Sequence, residues 1–396
     1  MQGISATAAR FACAALLAFA WPSTSAQAQA FPGCIAAANE TLLQWPVENP
    51  VWQMCWLRPS QSSGPRGSGL EVRNVFYRGK QVFKRAHAPM LFAEYRNGAG
   101  GNCYRDWKDS NSPFLANPAV QNQIGIGENV ITSCDRSTSP TQSFGNCPFA
   151  LGSPGPGGST CFSGVAIQER GDRVTLTTQY VAGWYLYSMR WTFHLDGTIE
   201  PFFGLGNSNG TYNTVTHWHH NYWRFDFDIE GAGNDQLLLD RGAQATEFTA
   251  LHAPGRVYGV RDSVTGRGYD ILPGSATTPP GAMDLVFPPN ESGRNFHTVD
   301  VMGTAFANNE FGDNPNYSLS DCGVNVAALV TPSVSINNTD VVLYYRGGVR
   351  DSAGDFPAGS PVPADPMVCK SVGPRMVPVG DWSAGDENIF RNGFEN

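Results

Sequence analysis

The sequence predicts an all-β fold, a large antiparallel β-sandwich with long disulfide-stapled loops. Short runs of aromatic and β-branched residues recur along the chain, and no segment sustains the ~3.6-residue period of a long helix. The 44 glycines and 28 prolines supply the turns that many antiparallel strands need. With 396 residues and 41% hydrophobic content, the chain can form one large or two ordinary domains around a substantial core.

Only 15% of residues are charged and the formal net charge is -8, which argues against a nucleic-acid or anionic-membrane surface and suits a neutral or cationic substrate. Residues 1–30 read as a secretory signal peptide: Arg10, an apolar run from Phe11 to Trp21, Pro22, then small residues with cleavage sites after Ala28 or Ala30. No other stretch is apolar and long enough to span a bilayer. The expected location is therefore exported: periplasmic, extracellular or at the cell surface. After the signal the chain keeps Cys34, Cys55, Cys103, Cys134, Cys147, Cys161, Cys322 and Cys369. An even set in an exported chain argues for disulfides, and Cys34 with Cys55 and Cys322 with Cys369 are the economical pairings, although order alone does not fix connectivity. No Cys-x-x-Cys pair points to a thiolate zinc site.

In chain order, 31–69 reads as a disulfide-pinned arm rich in Trp, Pro, Ser and Gly. The main domain is expected over 70–380. It opens with Leu70–Tyr77 and Gln81–Arg85 around an Arg-Gly-Lys turn, followed by loop-rich sequence from Asn97 to Cys161. The strongest β signal covers Arg173–Val181, Trp184–Leu195 and Thr198–Phe203, with Asp196-Gly197 expected as a two-residue hairpin turn. Further strands are expected at Thr214–Ile229, Gln236–Leu239, Arg256–Arg261, Tyr269–Leu272, Val324–Leu329 and Asp340–Tyr345. The tail, 381–396, resembles the Ile-Phe-x-x-Gly-Phe-Glu endings of some exported bacterial proteins, which would make it a sorting tag; a frayed terminus is the other reading.

The stretch from His217 to Asp228, His-Trp-His-His-Asn-Tyr-Trp-Arg-Phe-Asp-Phe-Asp, carries the chemistry. Alternate residues of a strand share a face, so His217 and His219 present two imidazoles together, a metal-binding arrangement. Arg224, Asp226 and Asp228 alternate in the opposite phase and would line the other face of an unbulged strand. Acids repeated on one face are costly unless something cationic neutralises them.

These residues, in this order, resemble the catalytic domain of the copper amine oxidases, the quinone-dependent primary amine oxidases. His217-x-His219 with Arg224-Phe225-Asp226 has the spacing of that family's copper motif. Gly69-Leu70 through Tyr77-Arg78-Gly79, Gly183-Trp184-Tyr185-Leu186-Tyr187 with Asp196-Gly197-Thr198-Ile199-Glu200, and Asn338-Thr339-Asp340-Val341-Val342-Leu343-Tyr344 are similar to three further family segments. The resemblance covers roughly 68–357 and implies oxidative deamination of a small primary amine by molecular oxygen. It places Tyr185 at the topaquinone precursor, Asp109 at the catalytic base, Tyr95 at the tyrosine that hydrogen-bonds the quinone, and Trp107 at the substrate gate. It implies copper at His217 and His219 and a structural calcium at Asp226, Asp228 and Asp340. It also implies a homodimer.

The chain departs from that pattern. Trp184 and Leu186 flank Tyr185 where the family has Asn and an acid, and Arg350-Asp351 stand where the third copper histidine is expected. Asp351 could complete the copper site, or His297 or His220 could be recruited. A reading from another class follows: a degenerate relative that keeps the sandwich and serves as a secreted or surface binding module.

Overall fold

The computed structural model describes residues 30–57, 61–63, 69–95, 103–105, 123–124, 165–182, 185–207, 217–273, 299–307, 329–351 and 370–383. Within them the fold is almost wholly β, in two large sheets, with one short 3-10 turn at Ala36–Ala38. The first part of the chain gives β1 (Thr41–Trp45), β2 (Trp52–Leu57), β3 (Glu71–Tyr77), β4 (Lys80–Tyr95), β5 (Cys103–Arg105), β6 (Gln123–Ile124) and β7 (Ala166–Arg170). The middle gives β8 (Arg173–Ala182), β9 (Tyr185–His194), β10 (Ile199–Asn207), β11 (His217–Phe227), β12 (Asp235–Leu239), β13 (Gly242–Ala243) and β14 (Phe248–Ala250). The last part gives β15 (Tyr258–Asp262), β16 (Gly268–Leu272), β17 (Val301–Ala305), β18 (Asn337–Thr339), β19 (Val341–Asp351), β20 (Lys370–Val372) and β21 (Arg375–Val379).

The first sheet runs β1-β2-β3-β4-β11-β19-β17-β14, with β5 on β4. The second runs β13-β12-β15-β16-β21-β10-β9-β8-β7-β6, with β18 on β12 and β20 on β10. All pairings are antiparallel except the short β6–β7 contact. The sheets pack face to face through aromatic side chains. Trp191 lies edge-on to Phe225 at 6.2 Å, and Trp52 meets Phe193 at 5.0 Å. Each indole also satisfies its N–H across the core: Trp52 donates to the His194 carbonyl at 2.7 Å and Trp191 to the Leu70 carbonyl at 2.9 Å. A second cluster of Met90, Phe92, Tyr222, Met302, Val342 and Tyr344 covers the opposite face of the first sheet. The centre of that sheet is therefore buried on both sides.

Local chemistry explains the hairpins. Arg78 and Gly79 both adopt positive φ, +49° and +71°, the conformation of a two-residue turn that matches strand twist, and they join β3 to β4. The Asp196-Gly197 turn differs from expectation in having a three-residue loop. Gly197 N–H donates to His194 C=O at 3.0 Å, and His194 N–H donates to Thr198 C=O at 2.9 Å. Gly197, at φ +91°, is required there, because a Cβ would lie 2.7 Å from the Tyr77 ring.

The arm is pinned as expected by the Cys34–Cys55 disulfide, and it also contributes β1 and β2 to the first sheet. The second economical pairing, Cys322 with Cys369, lies outside the described residues, as do the expected signal peptide and most of the expected Val324–Leu329 strand. β4 is far longer than Gln81–Arg85. Its centre, Ala86-His87-Ala88-Pro89, has no β signature, yet the strand continues because a bulge accommodates Pro89. Ala88 and Pro89 together stand against the single Trp223 of β11, where no ladder N–H is needed.

Candidate metal sites on β11

β11 lies between β4 and β19, and every described side chain from Trp218 to Phe227 is buried. Its two faces carry different chemistry. His219, Trp223, Phe225 and Phe227 point into the space between the sheets, while His220, Tyr222, Arg224 and Asp226 lie on the outer face.

On the inner face, His219 is fully buried, and its Nδ1 lies 2.8 Å from the hydroxyl of buried Tyr187 on β9 of the facing sheet. The rings meet edge to face at 5.5 Å. With Nδ1 held by a phenol, a metal would be met through Nε2, the arrangement in which ligating histidines are fixed by an outer partner. His217 stands directly opposite both Tyr95 on β4 and Asp351 on β19. The backbone thus brings three residues singled out in the sequence into one row across three strands. Tyr185 opens β9, opposite Ala182 and Asn207 and two residues before Tyr187. For Tyr95, Tyr185, His217 and Asp351 only the strand position is described; Trp107, Asp109 and His297 lie outside the described residues. His220 is directed away from the row: its ring is held on the outer face by Glu94 and Arg346, which takes it out of consideration as a third ligand.

At the other end of β11, Asp226, Asp228 and Asp340 each offer a carboxylate oxygen within 4.8 Å of the others. Oxygens at ~2.4 Å from a common calcium lie at most about that far apart. Arg224 donates to Asp226 at 3.1 Å and Gln81 Nε2 donates to Asp228 at 3.2 Å. Burial, reinforced by Asp226 and Asp340 and opposed by Lys84, pushes the Asp228 carboxyl up to about 7. Asp235, which the sequence did not single out, is pushed up to about 9, chiefly by burial and then by Asp228, Asp262 and Asp340, against a hydrogen bond from Ile229 N–H. A buried acid cluster of this kind is relieved by a divalent cation with hard oxygen ligands, so the three carboxylates fit calcium. On the inner side, the His219 imidazole is a donor type that fits a borderline transition ion such as copper, and His217 and Asp351 are placed near it by register alone.

Sequence reasoning missed Tyr187, Glu94, Arg346 and Asp300. Tyr187 alone had a usable signal, since it shares strand parity with Tyr185.

No family model and no curated protein matches the sequence. Among solved structures, the fold is that of the amine oxidase β-sandwich. A copper-containing benzylamine oxidase from Hansenula polymorpha is similar with a TM-score of 0.53 at 13% identity, over 83% of this chain and 59% of that one. Pichia pastoris lysyl oxidase gives 0.50 at 14% over 83% and 51%. An Aspergillus nidulans amine oxidase gives 0.51 at 15% over 94% and 55%. The chain therefore spans between half and three fifths of the length of these proteins, and at such identities the likeness establishes the fold.

Proposed function

We propose that this chain is a divergent relative of the copper amine oxidases that oxidises a small primary amine with molecular oxygen and water, giving an aldehyde, ammonia and hydrogen peroxide. The observation that carries the reading is the buried His219 ring, held by Tyr187 inside an amine-oxidase-type sandwich, beside the register row of Tyr95, His217 and Asp351. Copper would be held by His217, His219 and Asp351, and a quinone derived from Tyr185 would supply redox chemistry that unmodified side chains lack. Tyr187 orients the His219 ring, and the aromatic core keeps bulk water from it. Asp109 would take the α-proton of the amine, and Tyr95 would hydrogen-bond the quinone. Trp107 would gate amine entry. Asp226, Asp228 and Asp340 would hold calcium and tie β11 to the start of β19. Export would place these steps in an oxidising compartment, where a disulfide such as Cys34–Cys55 forms and persists.

One observation favours a second reading. Asp351 occupies the register position opposite His217, where a third imidazole is expected, and a chain that lost copper would keep the sandwich and calcium as a binding module. The test is reconstitution with copper under air, followed by a redox-cycling quinone stain and a peroxide assay over a panel of primary amines. The oxidase reading expects a stained polypeptide and amine-dependent peroxide; neither appearing leaves the binding module.

A further inference from the structure

On the face of β11 opposite the imidazole row, a chain of buried polar groups crosses the first sheet. His220 and Arg346 are fully buried, and Glu94 and Asp300 nearly so. Arg346 Nη1 lies 3.2 Å from His220 Nδ1, and His220 Nε2 lies 2.9 Å from Glu94 Oε2. A guanidinium can only donate, so Nδ1 accepts and the Nε2–H donates to Glu94. Arg346 Nε donates to Asp300 Oδ1 at 2.8 Å, and its Nη2 donates to the same carboxylate. Asp300 also accepts the His252 backbone N–H at 2.5 Å. The chain thereby links β4, β11 and β19 to the segments flanking β14 and β17.

Burying ionic groups among aromatics adds little net stability compared with apolar residues of the same volume, and the best-attested use of such groups is to fix register. Register needs fixing here. β11 pairs with β19 without a break from Phe227↔Val341 to His217↔Asp351. Against β4 it is interrupted: Arg224 pairs with His87, but beyond the Pro89 bulge Tyr222 pairs with Met90, and the ladder runs on to His217↔Tyr95. The hydrogen bonds at the Asp226 end therefore do not determine where Met90–Tyr95 sits. A one-residue slip would turn Glu94 to the inner face, away from His220, and move Tyr95 out of the row.

We propose that Glu94, His220, Arg346 and Asp300 form a register lock for Met90–Tyr95, which makes Glu94, His220 and Arg346 positioning residues that keep Tyr95 opposite His217. The role given to Tyr95 rests on the copper reading above; the lock itself does not. The test compares wild type, Glu94→Gln, Glu94→Leu and Glu94→Leu/His220→Leu by backbone hydrogen exchange, with separate titrations of Cu(II) and Ca²⁺. Because the double variant removes both partners of the Glu94–His220 hydrogen bond, it is expected to melt well above Glu94→Leu, which strips His220 of its acceptor, although Arg346 Nη1 loses His220 as a partner. Its Met90–Tyr95 amides should exchange at least ~10-fold faster while Lys80–His87 stay unchanged. Its Cu(II) and Ca²⁺ affinities should both be kept, because His217, His219 and Asp351 lie on β11 and β19, whose pairing is unbroken. Glu94→Gln, which still accepts from His220, should stay within about threefold of wild type. Unchanged exchange at Met90–Tyr95 overturns the lock, and so does a loss shared equally by Lys80–His87 and the Ca²⁺ site. If wild type binds no Cu(II) but the exchange pattern follows, the copper reading fails and the lock stands. Glu94→Leu, judged by the same exchange ratio, decides the case if the double variant does not fold.

Discussion

The two ends of β11 solve opposite problems with the same strand. At the Asp226 end, carboxylates from β11, from the residue following it and from the residue preceding β19 converge, and burial with their mutual repulsion raises the Asp228 carboxyl even though Arg224 is paired with Asp226. At the His217 end, the His219 and His220 rings are held from opposite faces of the sheet by protein partners: Tyr187 for His219 and Glu94 with Arg346 for His220. Under the proposed function, a bound calcium would relieve the electrostatic cost of the first cluster, whereas the His219 ring is already held by Tyr187. Calcium should therefore change the stability of the protein strongly, and a transition metal should bind with little structural change.

His219→Ala breaks the contrast most severely. It should abolish detectable Cu(II) binding in calorimetry, a loss of more than about 100-fold, while Ca²⁺ affinity is unchanged. The next largest effect is on pH dependence. The Asp228 carboxyl is held near 7 in the fold, against about 4 in an unfolded chain. Between those values the folded state keeps a proton that the unfolded state has released, so ion-free stability falls as pH rises and the loss is complete above about 7. The cost is on the order of 4 kcal/mol, and Asp235 extends the decline toward pH 9. Denaturant melts across pH should show this slope without calcium and a flattened one with it; a slope of opposite sign would contradict the cluster. Ca²⁺ at 100 times its Kd should add about 2.7 kcal/mol to wild type and much less to Asp340→Ala. The smallest change is Tyr187→Phe, which leaves His219 Nδ1 without that oxygen and should weaken Cu(II) by roughly tenfold, with Ca²⁺ unaffected.

The two ends also differed in how well the sequence announced them. β11 declared itself through alternating aromatics and paired motifs within twelve residues, His217 to Asp228. Asp340 was legible only through the family-like segment around it. The lock was not legible, because His220 lies 126 positions from Glu94 and 126 from Arg346, with no local periodicity joining them. Nor did β1, β2 or the second half of β4 read as strands. The arm is rich in Trp and Pro, and Ala86-His87-Ala88-Pro89 is compatible with a central strand only because a bulge absorbs the proline. The Asp-Gly turn was found by composition, but one reason it needs glycine, the close approach of the Tyr77 ring, is a contact between distant segments.

The central proposal is that β11 contributes to two metal sites, on its opposite faces and at its opposite ends. Anomalous diffraction from crystals grown with copper and calcium, recorded on either side of the copper edge, tests it most directly. The account predicts a copper peak at His219 Nε2 within the sandwich and a separate calcium peak among Asp226, Asp228 and Asp340. A map with no copper at His219, or with copper among the aspartates, would contradict it.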